Sequence, residues 1–232
     1  MKSQRDDSTD KPAPRRHAPR ERRQRAPAPR RLLAAAAEEL VAHDGRLEMA
    51  AVASRAGTSV GLSYHYFGSK AGLLAAVVEA FYDRYDAAVI DLNPLPGAPW
   101  RRRERSRLDR MVDFYFAEPL APLLLVRMSA EPEVAAAEAR RIARHIAVGA
   151  RNITLARRKG ELPDGPDARL LVAMIMGGLR QAAGQALADR DAWPPDRLKE
   201  DLWGFVANAA GPGRDAAEEQ PGRRRANGEG TL

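Results

Sequence analysis

The chain has 232 residues, 44% of them hydrophobic and 30% charged, and a net charge of +7, enough length for one or two domains with a sizeable core. It has no cysteine, which excludes disulfides, thiolate metal sites and cysteine nucleophiles. No run approaches the ~18 apolar residues of a membrane span and the N-terminus lacks the apolar region of a secretory signal, so a cytoplasmic protein with no membrane partner is expected.

The charge is localised. Residues 1–31 hold eleven Lys/Arg against four Asp/Glu, which is the whole +7; the remainder balances 27 against 27. Residues 1–28 mix Pro, Arg and Ala without hydrophobic periodicity and read as a disordered basic arm. Such an arm can follow phosphates or enter a minor groove.

A first helix is expected from Arg30 to His43, with Leu33, Ala36, Ala37 and Leu40 on one face. Asp44–Gly45 signals a turn. Met49, Val52, Ala53 and Ala56 then repeat at i, i+3, i+4, i+7, the spacing of a second helix, with Glu48 a weak cap for it. Gly57 suits the left-handed backbone of a helix end, and Thr58 or Ser59 can cap the next helix. That helix is short, carries Tyr64, His65 and Tyr66 in a row, and ends near Gly68. Val60 and Phe67, seven apart, are expected to face the core. Ser69 can cap a longer helix whose first turn holds Lys70. A lysine opposes the helix dipole there, which makes sense where an external phosphate sits.

The run Ala56-Gly57-Thr58-Ser59-Val60-Gly61-Leu62-Ser63-Tyr64-His65-Tyr66-Phe67-Gly68-Ser69-Lys70, followed by Leu73, resembles the DNA-binding signature of the TetR (tetracycline-repressor) family. Ser63 stands where that family has a large apolar residue, and Tyr66 replaces its common His. The resemblance implies Thr58, Ser59, Gly61, Tyr64, His65, Tyr66 and Lys70 as DNA contacts. Hydroxyls and the lysine suit phosphate, and Gly61 allows close approach. Val60 and Leu62 cannot donate hydrogen bonds, but either can touch a thymine methyl.

Beyond the signature, Leu74, Val77, Val78, Phe81, Tyr85 and Ala88 form one stripe of a helix reaching about Asp91, broken by Asn93–Pro94 to Pro99. A further helix after Trp100 has an Arg-rich solvated start and then Leu108, Met111, Val112 and Tyr115. Pro119, Pro132 and Pro166 each suit the first turn of a helix. A long helix runs from about Glu133 to Arg158 with Ile142, Ile146, Gly149 and Ile153 on a stripe. Ala168 to Ala188 is apolar on most sides and needs two partners, one of which a symmetry mate can supply. The last helix, about Pro195 to Ala209, has Leu198, Leu202, Phe205 and Ala209 at compatible spacing.

The expected fold is therefore all-α, about nine helices. A helix-turn-helix head at residues 29–75 precedes a larger effector-binding and dimerisation domain at 76–210, and a disordered tail occupies 211–232. Gly57-Thr58-Ser59-Val60-Gly61 also spells the nucleophile elbow of serine hydrolases, which needs a preceding strand; no strand pattern is present, and no catalytic residue is assigned. The four histidines have no metal-ligand spacing, and neither metal nor cofactor is expected. The family holds small ligands in its larger domain. By that analogy Phe81, Tyr85, Phe114, Tyr115, Arg127, His145, Asn152 and Met174 are the effector-site candidates, and an apolar or amphipathic effector is expected. The implied partners are a palindromic double-stranded DNA operator, a small-molecule effector and a second copy of the chain. The competing reading is a helical small-molecule binding or scaffolding protein without sequence-specific DNA reading.

Overall fold

The computed structural model describes residues 26–92, 95–128 and 131–211; the expectations about residues 1–25 and 212–232 lie outside them. All regular structure among the described residues is helical. Three helices form the head, α1 (Ala28–Ala42), α2 (Met49–Ala56) and α3 (Val60–Phe67). α4 (Lys70–Tyr85) leaves it and continues through one π-helical turn, Asp86–Ile90. The body adds α5 (Trp100–Ala117), a short π-type helix α6 (Leu123–Arg127), α7 (Pro132–Arg158), α8 (Ala168–Ala188) and α9 (Pro195–Ala210).

α1 starts at Ala28, with Pro29 in its first turn where a missing N–H does no harm. Its buried face is Leu32, Ala35, Ala36, Glu39 and Leu40, so Ala36 and Leu40 of the expected stripe are buried while Leu33 and Ala37 stand at its edge. Packing explains the shift. α1 lies against both α2 and α4, which makes its apolar arc wider than one stripe and leaves Leu33 and Ala37 half-buried on the α4 side. The turn after α1 places Asp44 at φ 55°, and Asp44 pairs with Arg127 of α6. Next to it, a Cβ on Gly45 would lie 3.3 Å from Met128 Sδ, so this turn is where the head abuts the body.

In the body, α4 supplies Phe81, Tyr82 and Tyr85, and α7 packs along it and along α8. A Cβ on Gly149 of α7 would stand 2.7 Å from Val172 Cγ1, so only glycine permits this helix spacing. Pro132 does open α7; Pro119 and Pro166 precede helices instead of lying in their first turns. In α9 the buried row is Leu198, Leu202, Val206 and Ala210, a strict i, i+4 row, which turns Phe205 and Ala209 of the expected stripe outward.

α8 is the one described helix long and apolar enough, by length and composition, to cross a membrane, contrary to the sequence expectation. Its apolarity has another explanation. Leu171, Val172, Ile175, Ala183, Ala186 and Leu187 are buried, and Arg180 is paired with the buried Glu138.

Candidate nucleic-acid interface and effector cavity

The head is assembled from local capping. Gly57, at φ 64°, ends α2 in the left-handed conformation, its N–H directed to the carbonyls of Ala53 and Ser54. Ser59 Oγ accepts the Leu62 N–H at 3.2 Å and Ser69 Oγ accepts the Gly72 N–H at 2.9 Å, so each serine starts a helix. Thr58 is half-buried, its hydroxyl 3.5 Å from the Ala53 carbonyl. Glu48 makes no side-chain cap to α2. Ser59→Ala is expected to lower stability by about 1 kcal/mol, a fall of roughly 2–4 °C in a thermal melt.

Two turns long, α3 packs on the rest of the head through Ser63, fully buried, with Leu62 and Phe67 half-buried. Val60 therefore faces outward, 39% exposed, which corrects the expectation that it is a core residue. Gly61, Tyr64, His65 and Tyr66 of the same helix are exposed too, as are Ser59, Ser69 and Lys70. Of the residues proposed from sequence, all are exposed except Thr58, which is half-buried. Arg, Lys, Asn and Gln, the side chains that read guanine or adenine bidentately, are all missing from α3; methyl contact by Val60 and single hydrogen bonds from Tyr64, His65 and Tyr66 are what this face offers to base edges. At Ser63 the small side chain leaves its hydroxyl buried without a partner.

In the body, a cavity of about 400 Å³ lies between the π turn of α4 and helices α5, α7 and α8. Of the candidates from sequence, Tyr85, Tyr115, His145 and Asn152 stand in its wall. Phe81 and Phe114 do not: they pack edge to face at 5.5 Å, and Phe114 meets Tyr85 in the same way at 5.4 Å, in the aromatic cluster behind the wall. Arg127 is spent on Asp44, and Met174, 51% exposed, points outward from α8.

Trp100, Glu104, Arg107 and Arg180 also line the cavity, and sequence reasoning passed over them. The signal was present on α5: Trp100, Glu104, Arg107, Leu108, Met111 and Tyr115 share helical spacing, although the start of that helix reads as solvated. Glu161 Oε2 accepts the Trp100 backbone N–H at 2.7 Å and so holds the start of α5 in place. Arg107 Nε donates to the Val89 carbonyl at 3.1 Å and Arg110 to that of Ala88 at 3.4 Å, satisfying carbonyls where the π turn ends the helix.

Polar groups at the cavity come in closed sets. Arg107 donates to Glu104 Oε1 at 2.5 Å, and Asn152 Nδ2 to the same oxygen at 3.3 Å. Tyr82 Oη donates to Glu138 Oε1 at 2.9 Å and Arg180 Nη2 to Glu138 Oε2 at 2.8 Å. His145 Nε2 lies 2.5 Å from Asp86 Oδ1, and Asp86 Oδ2 also accepts from Arg141 at 2.8 Å and from Arg144. Burial holds the His145 imidazole below its usual range, against the opposing pull of Asp86, and pushes the Tyr115 phenol up to about 12 and Tyr85 up likewise. At neutral pH the cavity presents neutral imidazole and protonated phenols.

Residues 32–77 match the family model of bacterial regulatory proteins, tetR family. Among curated proteins nothing matches. Solved structures with the same fold include a Rhodococcus sp. protein assigned to the TetR family of transcriptional regulators, at 23% identity and TM-score 0.63 over 79% of this chain and 98% of that one. The transcriptional regulator FadR from Bacillus subtilis, in complex with stearoyl-CoA, aligns at 16% identity and TM-score 0.66 over 78% and 98%. E. coli NemR in its reduced form aligns at 18% and 0.65 over 78% and 95%.

Proposed function

From a tetR-family DNA-binding head set on the fold of that family's regulators, we propose a cytoplasmic, homodimeric, ligand-responsive repressor that leaves a palindromic operator when a small apolar or amphipathic molecule occupies the body. The observation that carries this reading is the reach of α4. Its first residue, Lys70, stands beside α3, and its terminal π turn supplies Val89 and Ile90 to the cavity wall. At 1.5 Å per residue one continuous element of ~30 Å joins the two. An occupant that shifts the π turn shifts the seat of α3 and hence the spacing of two heads, which must match successive major grooves about 34–36 Å apart.

In this reading Thr58, Ser59 and Lys70 meet phosphate, Gly61 lets the backbone approach, and Tyr64, His65 and Tyr66 donate to phosphates or base edges. The chain divides into a DNA-binding head at residues 29–75 and an effector-binding and dimerisation domain at 76–210. Dimerisation uses the outward stripe of α8, where Leu170 is 56% exposed and Met174 lies one turn further on, with Phe205 of α9. Space is open around Gly177 on that stripe, so a second helix can approach closely. The stearoyl-CoA in FadR supports a body that takes apolar ligands.

Selection from random duplexes at two salt concentrations, followed by sequencing, tests the proposal. A palindrome of two half-sites one or more helical turns apart is the expected result. Retention without shared sequence that vanishes at the higher salt would favour the scaffolding alternative. With operator in hand, reciprocity requires DNA to weaken effector binding by the same factor by which effector weakens DNA binding.

A further inference from the structure

We propose that Val60 is a specificity residue of the head, reading one thymine of each operator half-site through its C5-methyl group. The inference rests on reading the head as a sequence-specific DNA binder and adds to it a residue and a base. Val60 is the first residue of α3, directly after the Ser59 cap that accepts the Leu62 N–H at 3.2 Å. Helix-turn-helix proteins set the N-terminal residues of this second helix against base edges in the major groove. What the chain places there is an isopropyl group, 39% exposed.

Neither helix formation nor packing calls for valine at this position. A β-branched side chain is a weaker helix former than alanine, lysine or glutamine. The buried side of α3 is made by Ser63, with Leu62 and Phe67 half-buried. An isopropyl group left in water gains free energy only when an apolar surface covers it. Thymine alone among the bases shows such a surface, its methyl group, to the major groove. Beside Val60, Gly61 has no side chain, and the nearest side-chain atom to a Cβ built on it is Ser59 Oγ at 4.0 Å, so the first turn of α3 can approach closely. Other groups of the helix are less selective. It holds no Arg, Lys, Asn or Gln, and so reads neither guanine nor adenine bidentately. Tyr64, His65 and Tyr66 are exposed, but a single hydrogen bond from each suits a phosphate oxygen or an acceptor on more than one base. The methyl contact is the one that names a base.

The test uses the full-length protein and the palindrome that selection from random duplexes returns. Each thymine of the half-site is replaced in turn by deoxyuridine, which keeps the base pair and every hydrogen-bonding group and deletes only the methyl. At one position affinity should fall about four-fold per half-site, and about sixteen-fold when both halves are changed, the effect of one buried methyl group. 5-Bromodeoxyuridine there should restore binding, since bromine has the bulk of a methyl. Val60→Ala should melt no lower than wild type and bind the thymine and uracil operators alike. Val60→Gln, carried through a fresh selection, should change the base at that position and leave the rest of the palindrome as it was. A palindrome without a uracil-sensitive thymine, a uracil effect that persists in Val60→Ala, or the same thymine returned for Val60→Gln would overturn the proposal and leave the regulator reading standing. Retention without any shared sequence would remove both.

Discussion

Replacing Asp86 by alanine should lower stability by about 3 kcal/mol at neutral pH, a fall of roughly 6–12 °C in the melting temperature. Its carboxylate is 4% exposed and sits under three partners from α7: Arg141 at 2.8 Å, Arg144, and His145 at 2.5 Å. Truncation leaves these donors facing an empty site. Arg144 is 43% exposed and also held by Asp91, and Arg141 is also held by Glu79 and Asp83, so each keeps some compensation. His145, 3% exposed, keeps none beyond its packing on Tyr85, whose ring centroid is 5.5 Å away. The pH dependence has a definite sign. His145 in the folded protein is held below its ordinary value chiefly by burial, so its contribution is fully present above the unfolded value near 6.5 and is lost as pH falls from there toward the depressed folded value. Glu79 behaves as carboxylates do. Burial pushes it up, but hydrogen bonds from Arg140 and Arg141 outweigh this and hold it low, so its contribution is lost only as pH falls below the usual carboxylate range. Melts from pH 8 to 5 should therefore show a decline below pH 6.5 that His145→Gln flattens. Without Asp86 the imidazole loses the group that favours its charged form, and the decline should steepen. An Asp86→Ala protein within about 1 kcal/mol of wild type, with an unchanged pH profile, would mean that the pairing across α4 and α7 does not hold the body together. Because Asp86 begins the π turn that presents Val89 and Ile90 to the cavity, effector affinity should fall with it.

The parts of this molecule that were legible in the sequence are those decided within one turn of the chain. Gly57 at a helix end, Ser59 and Ser69 as caps, and the Met49–Val52–Ala53–Ala56 face depend on neighbours three or four residues away, and all stand as expected. What depended on distant partners was not legible. The buried face of α1 is set by two helices at once, and Val60 is outward because α3 packs through Leu62, Ser63 and Phe67 instead. Glu104 and Arg107 read as a solvated charge run until Asn152 of α7, about 48 positions on, closes over them. Asp86 and the π turn it opens leave no periodic trace, since one extra residue in a helix shifts the register of a stripe without breaking it. Four of the eight proposed effector residues reach the cavity wall because aromatic and polar groups on α4, α5 and α7 face a shared centre; Met174 misses it because α8 has a second apolar face.

Sequence-specific operator binding should be lost, by about 10–100-fold, in Gly72→Ala, a change of one methyl group. Gly72 lies in the first turn of α4, and its N–H donates to Ser69 Oγ. A Cβ built there falls 2.1 Å from the Phe67 carbonyl oxygen, which is backbone at the end of α3 and itself accepts the Ser69 N–H at 2.8 Å. No rotamer relieves that overlap, so the end of α3 must move by about an ångström relative to α4. Strain of this kind runs to about 3 kcal/mol, partly offset by the ~1 kcal/mol advantage of alanine over glycine within a helix. In the proposed function the displaced α3 reads the bases, where each well-placed contact is worth about 1–3 kcal/mol of discrimination, whereas Lys70 and any phosphate attraction persist. Titration of the selected operator against a scrambled duplex separates the two effects: specific binding falls, salt-sensitive binding remains. Gly61→Ala is the informative companion, since the nearest side-chain atom to its Cβ is Ser59 Oγ at 4.0 Å. That variant should melt like wild type and lose affinity only through the methyl group presented to DNA. If Gly72→Ala bound operator as wild type does while Gly61→Ala did not, α3 would be seated on DNA independently of α4, and coupling between cavity and head would have to run through the contact of Asp44 with Arg127.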